Sequence, residues 1–115
     1  MLEFICYPKC TTCQKAKKFL DDNKMEYELR DIKLNNPTSE ELRKWYTKSE
    51  LPLKKFFNTS GLLYKSMDLK NKLPKMTESE MLELLATDGM LVKRPLLIGE
   101  DFVLVGFKED EYGGI

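Results

Sequence analysis

The sequence predicts an α/β fold: one sheet of four strands with helices around it. Three patterns predict it. A strand, a helix and a second strand follow one another in the first third. The middle of the chain reads as helical, and the last third returns to two short apolar runs around a tight turn.

Residues 2–7 (LEFICY) are apolar and β-prone, and Pro8 stops them, which marks a buried strand. Beyond the PKCTTC segment at 8–13, Ala16, Phe19 and Leu20 recur at helical spacing with lysines opposite, and Asn23 is a stop signal. Residues 26–32 set Tyr27, Leu29 and Ile32 against charged neighbours as a second strand. A strand–helix–strand unit of about 30 residues predicts two parallel strands joined right-handedly.

Asn36-Pro37-Thr38 leads into a helix with Leu42, Trp45 and Tyr46 inward, ending near Ser49. Pro52 opens a short segment over 53–57, and Asn58-Thr59-Ser60-Gly61 has the composition of a turn. Trp45, Phe56 and Phe57 are expected in the core. Thr77-Glu78-Ser79-Glu80 fits a capping box, with Met81, Leu82, Leu84 and Leu85 as the apolar face behind it and Asp88-Gly89 as its end. Residues 95–98 and 102–105 flank Gly99-Glu100-Asp101 as a hairpin. The tail from Gly106 is short and acidic, closes on Gly113-Gly114, and is expected to fray.

A chain of 115 residues without a repeat, linker or low-complexity tract reads as a single domain over 1–115. Hydrophobic residues at 42% and charged ones at 33% exclude a disordered chain. Lysine plus arginine equals aspartate plus glutamate at 19 each, which removes the electrostatic argument for nucleic acid or an anionic membrane as a partner. The same balance permits a monomer. The opening residues have no basic region and no apolar run long enough for a membrane span, so the expected compartment is the cytoplasm.

In that compartment three cysteines are catalytic, redox-sensing or metal-binding rather than a disulfide framework. The chain has no histidine, which excludes Cys–His nucleophile pairs, imidazole ligands and a histidine base. Cys10 and Cys13 form a Cys-x-x-Cys at the junction of the first strand and first helix. Two cysteines three apart in a first helical turn can bridge with little backbone strain. The unpaired N–H groups and the dipole there stabilise negative charge on the first sulfur. Lys9, Lys15, Lys17 and Lys18 add positive charge, and Thr11 and Thr12 carry hydroxyls able to donate to a sulfur. Cys10 is therefore read as the attacking thiol and Cys13 as the resolving one. The competing reading is half of a zinc site, which asks for four ligands where only Cys6 is left. Cys6 itself, in mid-strand, reads as a small buried hydrophobe. No metal or resident cofactor is expected.

From Tyr7-Pro8-Lys9-Cys10-Thr11-Thr12-Cys13, through Phe56 to Gly61, Asp88 to Pro95 and Val105 to Asp110, the chain resembles the arsenate reductase (ArsC)/Spx family. The resemblance spans nearly the whole chain. It implies a thioredoxin-like fold, a four-stranded mixed sheet with a helical insertion between the second and third strands, and a cis proline at Pro95 against the cysteine loop. For the arsenate reductases it implies one catalytic cysteine, matching Cys10, and several arginines around the oxyanion. One of these matches Arg94; the others fall near Asn58 and Gly106, which are not arginines. Lys54, Lys55 and the turn at 58–60 are the groups that would compensate. For the Spx-type regulators it implies a Cys-x-x-Cys redox switch and RNA polymerase as partner, in chains that run longer at the carboxyl end than Ile115. The segments at 56–61 and 84–95 look closer to an arsenate-reductase-like branch.

The expected function is thus a thiol–disulfide oxidoreductase. Cys10, Cys13 and Arg94 are its catalytic groups; Lys9, Thr11, Thr12, Asn58 and Pro95 bind substrate. Thioredoxin, glutaredoxin or a low-molecular-weight thiol is the expected reductant. The alternatives are a redox-gated regulator and a true arsenate reductase. For Arg94 the competing reading is a surface arginine paired with Asp88 or the acidic tail.

Overall fold

The computed structural model describes residues 2–115; Met1, at the start of the expected domain, lies outside the described residues. Strand β1 (Leu2–Cys6), helix α1 (Thr11–Asp22) and strand β2 (Tyr27–Asp31) open the chain. Four helices follow: α2 (Ser39–Ser49), α3 (Leu62–Ser66), α4 (Leu69–Lys72) and α5 (Glu78–Leu85). Strands β3 (Leu96–Ile98) and β4 (Val103–Val105) and a last helix, α6 (Glu109–Gly113), complete it. The sheet order is β2-β1-β3-β4. β1 and β2 are parallel, while β3 runs antiparallel to both β1 and β4, so the sheet is mixed and thioredoxin-like, with the helical insertion between β2 and β3.

The two-residue period of the strands divides the core. Ile5 pairs with Leu96 and Leu96 with Val105, and these face the insertion with Leu42, Trp45, Phe56, Phe57, Leu82 and Leu85. Phe4 pairs with Leu97 and Leu97 with Leu104, and these face α1 and α6 with Cys6, Cys13, Ala16, Leu20 and Tyr112. The sheet is therefore the middle of three layers.

Helices α2 and α5 both begin on the capping box their sequences carry: Thr38 with Glu41, and Thr77 with Glu80. Arg30 on β2 ties three elements together. Its guanidinium donates to Glu41 on α2 at 2.7 and 2.9 Å and to Glu3 on β1 at 3.2 Å. Arg30 holds the Glu41 carboxyl down at about 2, below its ordinary range, with the Thr38 N–H adding to the effect.

Three expectations change. Leu29 is 57% exposed, because β2 is the edge strand of the sheet. Helix α5 stops at Leu85, and Asp88 instead caps a separate turn, Gly89–Leu91, by accepting from Met90 N–H at 2.8 Å. Gly89 is needed there: a Cβ would stand 1.8 Å from the Ile32 carbonyl oxygen. The tail does not fray. Tyr112 is 1% exposed in α6, edge-on to Phe107 at 4.8 Å and to Phe19 at 6.0 Å, so burial of one aromatic ring orders the segment.

Candidate functional site

β1 ends where its chain must turn back over the sheet into α1, and the cysteines occupy that turn. Cys10 is the N-cap of α1, with extended backbone at φ −85° and ψ 123°. Its N–H donates to the Tyr7 carbonyl at 2.9 Å, and its own carbonyl accepts from Gln14 N–H at 3.0 Å, the first bond of the helix. Gln14 also donates through Nε2 to the Pro8 carbonyl at 3.0 Å, which closes the loop on itself. Cys10 is half-buried at the helix mouth, whereas Cys13, one turn further in, is 1% exposed.

The three sulfurs gather at this turn. Cys13 Sγ accepts from the Tyr7 N–H at 3.4 Å, and Cys6 and Cys13 are buried in one cluster with Cys10 packed against it. The neighbouring Cys6 and burial push the Cys13 thiol up, far above the ordinary thiol range. Cys13 in turn brings the Cys6 thiol down against the opposing effect of burial. Cys6 is 5% exposed, the small buried side chain expected, in a cluster that also holds Cys13. All three thiols are free. Among the described residues, no group of three or more histidine, cysteine, aspartate or glutamate side chains is arranged to hold a metal ion.

The segment before β3 lies against this loop. The Arg94–Pro95 bond is cis, and the Arg94 guanidinium lies 5.4 Å from the centroid of the Tyr7 ring, three residues before Cys10. Among the described residues Arg94 has no carboxylate partner: Asp88 is occupied by its own turn, and the acidic tail is folded into α6. Its Nη1 reaches only the Met90 and Val92 carbonyls at 3.5 Å, and its buried Nε has no partner. The side chain lines a cavity of about 600 Å³ with Asn58, Ser60, Gly61, Leu62, Leu63 and Met90. A cation with spare donors facing a cavity is equipped to take an anion.

The other expected groups stand as follows. Lys9, Thr11 and Thr12 are exposed at the mouth of α1, and neither threonine is hydrogen-bonded to a sulfur. Lys17 and Lys18 direct their charge to Asp21 and Asp22 at 2.9 and 2.7 Å, away from the cysteines. Gly106, where the resemblance puts an arginine, has φ +78°, a left-handed backbone that a side chain adopts only with strain. Lys54 and Lys55 line a second cavity of about 670 Å³ with Thr59, Lys70 and Lys93, apart from Asn58 and Arg94.

Sequence reasoning missed Tyr7 as the platform under Arg94, and Cys6 and Tyr112 as the lining behind Cys13. The strand period carried the signal for Cys6: Phe4 and Cys6 share a face, and that face is the one α1 covers.

The ArsC family model matches residues 6–115. An uncharacterized protein of Bacillus subtilis (strain 168), YusI, is 54% identical over 111 residues, covering 96% of this chain and 94% of that protein. The regulatory protein MgsR of the same organism is 30% identical over 110 residues, covering 96% and 86%. Among solved structures, an ArsC family related protein from Bacteroides fragilis has a TM-score of 0.96 at 57% identity, covering 98% of this chain and 95% of that one.

Proposed function

The chain belongs to the ArsC family, and from that premise we propose that it is a cytoplasmic thiol-dependent reductase working through Cys10 and Cys13. The observation that carries the reading is the asymmetry of the pair. Cys10 caps α1 and reaches the surface, while Cys13 is sealed one turn behind it in the cluster against which Cys10 packs. Cys10 Sγ attacks the oxidised sulfur of a substrate, breaking its S–S bond with loss of a thiol or the S–O bond of a sulfenic acid with loss of water, and forms a mixed disulfide. Cys13 then attacks Cys10 Sγ, the Cys10–Cys13 bond forms, and the reduced group leaves with the electron pair and a proton. A thioredoxin- or glutaredoxin-type protein, or a low-molecular-weight thiol, reduces the pair again.

Arg94, Asn58 and Lys9 hold the anionic part of the substrate or of the reducing thiol, and Thr11, Thr12 and Pro95 border it. Support comes from the unpartnered Arg94 Nε and the cavity it shares with Asn58. Arsenate is the weaker candidate, since one arginine offers few bidentate contacts to a dianion and Gly106 cannot supply a second. The test is turnover in wild type, Cys10→Ser and Cys13→Ser, with arsenate and with a disulfide substrate, coupled to thioredoxin or glutaredoxin. Cys10→Ser should be inactive and Cys13→Ser should accumulate mixed disulfides; turnover retained in Cys10→Ser sinks the mechanism.

A second reading, a redox-gated regulator, is favoured by the relation to a regulatory protein and by Leu62, an 86% exposed leucine on the cavity that Arg94 lines. Pull-down of RNA polymerase by oxidised and by reduced protein separates the two, and capture in neither state removes the regulator.

A further inference from the structure

The reductase mechanism uses two of three adjoining sulfurs. The third belongs to no step, yet its position is specific. Cys6 ends β1, Cys13 lies in the first turn of α1, and both side chains are buried in the same cluster, with Cys10 packed against it. The N–H of Tyr7, the residue after Cys6, donates to Cys13 Sγ at 3.4 Å, which ties the end of β1 to that sulfur. A thiol held beside a disulfide can attack it and displace the outer sulfur.

We propose that Cys6 is a third redox cysteine, which takes Cys13 from the Cys10–Cys13 disulfide and stores the oxidation in a buried Cys6–Cys13 bond. The step rests on the reductase reading, which supplies the disulfide. Cys6, as thiolate, attacks Cys13 Sγ. The Cys6–Cys13 bond forms, the Cys10–Cys13 bond breaks, and Cys10 departs with the electron pair. The proton lost by Cys6 is balanced by the one Cys10 takes up, so no oxidant or reductant is consumed. Reversal needs only Cys10 to attack Cys13 again.

The surroundings suit such a state. Cys10 leaves at the half-buried mouth of α1, open to solvent. The inner pair sits behind Cys10 at 5% and 1% exposure, out of reach of a bulky protein reductant. Tyr112 closes the cluster with a buried hydroxyl that has no partner and that feels charge on both Cys13 and Cys6. An unpaired buried donor next to sulfurs that become charged in turn has a use in the exchange. The outcome is an oxidised protein whose surface cysteine is free, able to capture a second substrate with its resolving partner locked away.

The sequence makes the test direct. Cleavage after Lys9 separates Cys6 from Cys10 and Cys13, which share the peptide 10–15. Full-length protein is oxidised with one equivalent of diamide, quenched in acid, alkylated at its remaining thiols, digested with trypsin and read by mass spectrometry. Two isomers are expected. One has Cys10 joined to Cys13 with Cys6 alkylated. The other has peptides 1–9 and 10–15 cross-linked with Cys10 alkylated, at about a tenth of the first or more, a ratio of ten being ~1.4 kcal/mol. Cys10→Ser, which leaves the inner pair intact, should form the cross-link directly, and Cys6→Ala should lose it while still joining Cys10 to Cys13. Cys6 alkylated throughout, with no cross-link in Cys10→Ser, removes the inner disulfide but leaves the outer one standing. Cys6 joined to Cys10 overturns the assignment of Cys13 as its partner. No intramolecular disulfide at all overturns both this step and the reductase reading.

Discussion

The two faces of the sheet are built to different rules. On the insertion face, Ile5, Leu42, Phe56, Leu82, Leu85 and Leu96 are packed at 0–1% exposure, and the polar residues stay at the rim in capping boxes and the Arg30 network. On the α1 face the core is smaller and mixed: two cysteines and a tyrosine hydroxyl without a partner share it with Phe4, Ala16, Leu20 and Leu97. Burial of hydrocarbon stabilises in proportion to area, whereas burial of thiols and a hydroxyl contributes less and holds reactive groups in place. One face is thus built mainly of hydrocarbon and the other holds the thiols, with β1 presenting alternate residues to each.

Substitutions on the two faces should separate stability from reactivity. Cys10→Ser should lower turnover by about a thousandfold or more while leaving the thermal midpoint nearly unchanged, since the side chain is a half-buried cap. Trp45→Ala, on the other face, should cost about 3–5 kcal/mol in denaturant unfolding and leave the alkylation rate of Cys10 in the folded protein unaltered. A Trp45 variant that keeps its stability but loses Cys10 reactivity would break the division.

Two smaller effects sharpen it. Arg94→Ala should weaken anionic substrates by about tenfold, read as a raised KM, because charge-assisted donors are lost from the cavity. For Glu41, the folded carboxyl sits at about 2 against an ordinary 4.5, so its contribution is complete above about 4.5 and is lost as pH falls toward 2. Part of the network is open to solvent, Glu41 at 36%, so the loss should be about 1 kcal/mol. Arg30→Gln should flatten stability across that acid range; an unchanged pH profile would show that the network is idle.

The sequence made the fold legible wherever a local rule decided the outcome. Both capping boxes, the glycine turn between β3 and β4, and the strand–helix–strand start follow from short patterns. What it hid depended on distant partners. Leu29 keeps a buried strand's pattern at the sheet's edge, where it stays exposed, and the tail's acidic composition conceals that Tyr112 is needed against Phe19. The site divides in the same way. Cys10 and Cys13 are read from spacing, and Arg94 from its place before Pro95. The contact between Cys6 and Cys13 joins a strand to a helix, and only packing α1 on the sheet reveals it.

The central claim is that Cys10 attacks and Cys13 resolves, and the rate of alkylation of each cysteine against pH in the reduced native protein tests it most directly. The account predicts that Cys10 reacts first across the neutral range while Cys13, pushed up by the neighbouring Cys6 and by burial, stays protected until the fold opens. Cys13 modified as fast as Cys10 at neutral pH, in protein that remains folded, would contradict it.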